Sequence, residues 1–190
     1  AIDFGRGDGD VLTGGLSIGH RALLTKRHSL WLMEGPPYFA TKFWSGSGCV
    51  SHNTLAVGEQ GVYMLSASGV MVWDGQSLPI KVGGDSQNPI WETMNESRWP
   101  YAVGAYFPPT QEYWVTFDVE DGSRITMVWS ERKQAWGKLD IPVDAYATVS
   151  LSGGPMSLLA AVRGYCVELR RGDNDGVNVN DSDYAVTGAV

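Results

Sequence analysis

At 190 residues the chain can bury one generous domain or two small ones, and its formal net charge of −7 excludes the clustered Lys and Arg that wrapping duplex DNA requires. Twenty-four Gly and nine Pro, with eight Trp, eight Tyr and five Phe, favour short strands and tight turns over long helices. No segment approaches the ~18 apolar residues of a membrane span, and no signal peptide is visible.

From the N-terminus, Gly5 to Asp10 is Gly/Asp-rich and contains the adhesion tripeptide Arg6-Gly7-Asp8, which such a composition yields by chance. A first hairpin is expected from Arg21-Ala22-Leu23-Leu24-Thr25, a turn at Lys26-Arg27, and His28 to Gly35. The short basic runs Lys26-Arg27-His28 and Arg170-Arg171 read as solvated turn charges. A second hairpin runs Val62 to Ser66, turns at Ala67-Ser68-Gly69 and returns as Val70 to Gly75. A short helix near residues 89–99 interrupts the pattern: Asn88 can cap it, Pro89 suits its first turn, and Trp99 before Pro100 ends it. A third hairpin pairs Glu112–Phe117 with Arg124–Ser130 around Glu120-Asp121-Gly122-Ser123. The fourth pairs Ser157–Val162 with Tyr165–Arg170 around Arg163-Gly164.

The turns near Arg27, Gly69, Gly122 and Gly164 recur at intervals of 42, 53 and 42 residues. Four-stranded propeller blades recur at roughly 40–50 residues. Thr54–Gly58, Tyr101–Phe107 and Ala145–Leu151 supply inner strands preceding their hairpins. The reading is therefore all-β: a β-propeller or partial propeller of about four hairpin-based blades over residues 1–172, then a polar Asp/Asn-rich segment, 173–190, leading toward a further blade. A two-sheet sandwich is the rival architecture.

Residues that carry chemistry are sparse. Glu34, Asp74 and Asp121 would suit paired catalytic carboxylates, but each precedes a Gly at a turn or strand end, which turn formation explains. His20, His28 and His52 lack metal-ligand spacing, and Cys49 and Cys166 read as buried free thiols. In the C-terminal segment Asp173, Asp175 and Asp181 are weak calcium candidates. Aligned on a helix-loop calcium pattern with Gly176 sixth, Arg171 and Ser182 stand where charged ligands belong. No catalytic residue, cofactor or enzymatic activity is expected. Tyr38-Phe39, Phe43-Trp44 and Tyr113-Trp114 would suit sugar stacking, whereas Trp73, Trp129 and Trp136 read as blade packing.

Thr13-Gly14-Gly15-Leu16, Ala22 to Lys26 and His28-Ser29-Leu30-Trp31 form a pattern that continues in Gly48 to Thr54, Gly61 to Ser66 and Gly69-Val70. Trp73-Asp74-Gly75 and Trp136 before Lys138-Leu139-Asp140-Ile141-Pro142 extend it. Over residues 11–172 this resembles the tail-associated β-propeller proteins of tailed bacteriophages, of the nozzle, hub and tail-stabilisation type. The resemblance implies a structural virion protein of the tail, assembled in the host cytoplasm through contacts with other virion proteins and copies of itself. It implies no sequence-specific nucleic-acid binding. The alternatives are a glycan-binding propeller module for host-surface attachment and a capsid-associated accessory protein.

Overall fold

The computed structural model describes residues 4–5, 7–150 and 154–169. These form fifteen strands in four antiparallel sheets, each a meander whose hydrogen-bonded neighbours follow chain order. The first sheet contains β1 (Leu12–Ile18), β2 (Arg21–Lys26), β3 (Ser29–Glu34) and β4 (Phe39–Ser45). The second contains β5 (Ala56–Val57), β6 (Val62–Ser66), β7 (Gly69–Trp73) and β8 (Ile80–Lys81). The third contains β9 (Val103–Phe107), β10 (Glu112–Asp118), β11 (Arg124–Ser130) and β12 (Ala135–Leu139). The fourth has three strands, β13 (Val143–Ser150), β14 (Met156–Val162) and β15 (Tyr165–Leu169). All four expected hairpins are present, as β2–β3, β6–β7, β10–β11 and β14–β15.

Successive side chains of a strand point to opposite faces, and here the two faces meet different neighbours. In the second sheet Val62, Met64, Met71 and Trp73 pack with Leu23 and Leu30 of the first. The alternate residues Tyr63, Leu65, Val70 and Val72 pack with Tyr113, Val115, Phe117, Met127 and Trp129 of the third. The third sheet repeats the device: Trp114 and Val128 turn the other way, to Val143, Leu158, Ala160 and Val162 of the fourth. The order of packing is thus the order of sequence. Because both faces of β6, β7, β10 and β11 are covered, these strands are near-continuous runs of Val, Met, Leu and aromatics instead of alternating patterns.

The helix expected over 89–99 is two short pieces, an α-turn at Asn88–Trp91 and a 3₁₀ segment at Glu96–Tyr101. Gln87, not Asn88, occupies the cap position, and the 3₁₀ segment carries Pro100 inside it. The interruption has a cause. Met94 forms a bridge with Val119, Glu120 N–H donates to Thr93 C=O, and Asn95 N–H donates to Asp118 C=O. Pairing with the end of β10 therefore engages the Thr93 carbonyl and the Asn95 N–H, two groups that a continuous helix would use in its own ladder. The α-turn contributes Trp91, 2% exposed, which packs on Phe117 and Trp136 with ring centroids 5.4 and 5.3 Å away.

Gly61, just before β6, has φ +136°, and a Cβ there would lie 2.1 Å from the Trp73 carbonyl oxygen. Strain of this kind costs about 1–3 kcal/mol before any overlap, so Gly61→Ala is expected to lower Tm by roughly 5 °C or more in a thermal melt.

Candidate functional site

The carboxylates that the sequence offered for catalysis do not converge; each is engaged locally. Glu34 pairs with Arg21 across β2–β3 at 2.9 Å. Asp74 accepts from the backbone N–H groups of Gln76 and Ser77, at 2.9 and 2.7 Å, and these bonds hold its carboxyl below the usual range. Asp121 accepts from Ser123, with the same effect on its carboxyl. Both are turn-forming aspartates. His52 sits in a 3₁₀ turn, His52–Thr54, with Nδ1 3.4 Å from Gly15 N. Among the described residues no group of three or more His, Cys, Asp and Glu gathers at metal-binding range. Asp173, Asp175 and Asp181 lie outside the described residues, as does Arg6 of the adhesion tripeptide.

Two charge and thiol expectations are corrected. Lys26 is not a solvated turn charge: it is 4% exposed, and its ammonium donates to both Asp8 oxygens at 2.9 and 2.8 Å while lying 5.5 Å from the Trp31 ring centroid. The N-terminal segment closes over this end of the first sheet, where Asp10 also accepts from His28 N–H and from Ser29 Oγ. The bond from Lys26 lowers the Asp8 carboxyl. Cys49 is buried, and burial pushes its thiol up, but Cys166 is exposed. Cys166 pairs with Ala161 on the face of the fourth sheet that meets no other sheet among the described residues.

The aromatic groups divide. Tyr113 and Trp114 are core residues, 0% and 1% exposed, and Phe43 stacks on Trp73 at 4.8 Å. Trp129 and Trp136 are packing residues, 5.3 Å apart. Tyr38 and Phe39, in the β3–β4 connection and at the start of β4, remain 62% and 53% exposed.

The most concentrated polar chemistry is one that the sequence does not announce. Glu131, 8% exposed just after β11, accepts from Tyr63 Oη at 2.5 Å and from Tyr106 Oη at 3.0 Å. Tyr63 in turn stacks between Tyr106 and Tyr113, with centroids 5.8 and 4.9 Å away. The arrangement bridges the second and third sheets from inside. Charge-assisted bonds of this type are stronger than neutral ones, and satisfying both carboxylate oxygens is what makes its burial tolerable. The residues come from positions up to 68 apart in sequence, so no local spacing reveals the group.

Burial, and for Tyr63 and Tyr106 the Glu131 bond as well, raises the phenols of this region. Tyr106 and Tyr146 are each pushed up to about 12, and Tyr63 and Tyr113 are also raised well above the ordinary phenol value. A phenol whose folded pKa exceeds its unfolded value of about 10 keeps a proton that the unfolded chain releases. Stability should therefore be unaffected by these groups below about pH 10 and fall steadily from there to pH 12. A tyrosinate absorbance titration should show these four of the eight tyrosines ionising late, together with unfolding.

Two open depressions lie on the third sheet. One, of about 490 Å³, is bordered by Arg124, Lys138, Arg163, Asp140 and Asp144, and Arg124 is already engaged by Asp118 at 2.9 Å and the Val143 carbonyl at 2.8 Å. The other, of about 210 Å³, lies over Trp114, Val128, Ala135 and Gly137. No described helix is long and apolar enough to cross a membrane. Compared with known proteins, the chain matches no family model, and no curated protein is significantly similar to it.

Proposed function

We propose that the chain is a run of stacked propeller blades and serves as a structural component of a tailed-phage virion, built into the tail by contacts with neighbouring proteins and with copies of itself. The observation that carries this reading is the serial stack. Each inner sheet gives one face to the sheet before it and the other to the sheet after it. Among the described residues no sheet covers the end of the series: on the fourth sheet Ala145, Ala147, Val149, Leu159 and Ala161 form an apolar face that is partly open to solvent. A further blade, from more sequence or from another chain, is the natural cover for such a face. The net charge of −7 suits a wall along which DNA passes without being held. Among the described residues the carboxylates Glu34, Asp74 and Asp121 serve an ion pair and two turns.

The test is fractionation of phage lysates with antibody against this chain, followed by electron microscopy of the labelled particles. Label at the tail supports the proposal. A chain found only as a monomer, away from any particle, would sink it. The exposed Tyr38-Phe39 pair favours a second reading, glycan binding, which a glycan array without hits would end.

A further inference from the structure

The four sheets follow one another in series, and the two ends of the series present complementary surfaces. On the fourth sheet Ala145, Ala147, Leu159 and Ala161 point away from the third. Most of these are small, so the face is shallow, and Ala145 and Ala147 are exposed on it. On the first sheet Ser17, Ala22, Leu24 and Met33 point away from the second. This face is bulkier. Gly5 lies against the Trp31 ring and Asp8 holds Lys26 at one end of it. Ala22, Leu24 and Met33 are half-buried, with no sheet over them among the described residues. Charge divides the same way. The fourth-sheet face carries Glu168, which accepts from Ser157 Oγ at 2.5 Å. The first-sheet face carries Lys42, exposed and 5.2 Å from the Trp31 ring centroid.

We infer that these two faces bind one another between copies of this chain: the fourth sheet of one copy docks on the first sheet of the next, so that the stack continues across the junction. This rests on the serial stack proposed above and gives its open end a partner. A second copy is favoured as the occupant for three reasons. Each inner sheet already receives the preceding sheet on one face and the following sheet on the other, so a first sheet laid on a fourth extends an arrangement the chain contains. A bulky face would meet a face of small residues, as Trp114 and Phe107 meet Ala160 and Val162 between the third and fourth sheets. Lys42 and Glu168 bring opposite charges to the junction. Within one copy no hydrophobic cluster of the described residues joins the first sheet to the fourth, so the chain does not close these faces on each other. A stack that ends in itself carries polar outer faces, and these are apolar. The contact is heterologous, with each copy using two different surfaces, so assembly proceeds past a dimer to a ring or an open run.

Sedimentation velocity on the purified full chain over a concentration series tests this, with a thermal melt of every variant to show that it is folded. The wild type should form species larger than a dimer as its concentration rises. Ala147→Arg, at an exposed position of the fourth-sheet face, and Met33→Arg, on the first-sheet face, should each sediment as a monomer where the wild type is assembled. If Met33→Arg melts early, Ser17→Arg at an exposed position of the same face takes its place. An equimolar mixture of the two blocked variants retains one intact junction and should give a dimer and nothing larger. A wild type that stays monomeric overturns the proposal, because something other than a second copy then covers the faces. Self-association that survives in either variant alone, or a mixture that forms no dimer, overturns it as well. Failure here would leave a place in the tail standing, since fractionation of lysates decides that separately.

Discussion

Replacing Trp114 with alanine should destabilise the protein by about 3–5 kcal/mol, the range for emptying a large buried aromatic site. Trp114 is 1% exposed and is the largest side chain that the third sheet sends toward the fourth, where it joins Phe107, Val128, Val143 and Leu158. Its indole N–H also reaches Glu112 at 3.3 Å, so truncation removes a bond as well as volume. Equilibrium denaturation in urea measures the loss. Trp114→Phe should cost clearly less, because much of the ring volume remains. A loss below about 1 kcal/mol for the alanine variant would show that the third and fourth sheets are not packed through this residue.

Glu131→Ala should cost about 2–5 kcal/mol, because it strands two buried phenol hydroxyls that now share one carboxylate. Tyr63 is 0% exposed and Tyr106 is 7% exposed, so little water reaches either hydroxyl. Glu131→Gln keeps a carbonyl acceptor and should fall well short of the alanine effect. The discriminating measurement is a double-mutant cycle with Tyr63→Phe and Tyr106→Phe. Both phenylalanine changes remove a donor along with its need for an acceptor, so each should be less damaging in the Glu131→Ala background than in the wild type. Independent, additive losses would mean that the three groups do not act together.

The hairpins were legible because their signal is local. Val70-Met71-Val72-Trp73 after Gly69, or Arg124 to Ser130 after Gly122-Ser123, combine β-branched and aromatic residues with turn chemistry in a single window. The outer strands were not legible. β8 has two residues, and β12, Ala-Trp-Gly-Lys-Leu, is half-exposed and contains a glycine, so neither carries a strand pattern. The break in the helix is not legible in a short window because Met94 answers to Val119, a partner 25 residues away. The burial of Lys26 is hidden for the same reason: its partner, Asp8, sits 18 residues upstream. The regular hairpin spacing corresponds to four successive antiparallel sheets of three or four strands in chain order, while the Glu131 group required knowing which sheet lies on which. Burial of charge is set by tertiary neighbours, and short windows do not contain them.

The serial order of the sheets has a consequence for how the chain is made. Every sheet draws its strands from one continuous stretch, and every interface joins sheets adjacent in sequence. A ribosome releasing this chain from its N-terminus delivers the first sheet complete before the second begins, and each later sheet finds its docking surface already folded. Contacts of short sequence separation favour fast folding, and the growing chain exposes only its newest uncovered face at any moment.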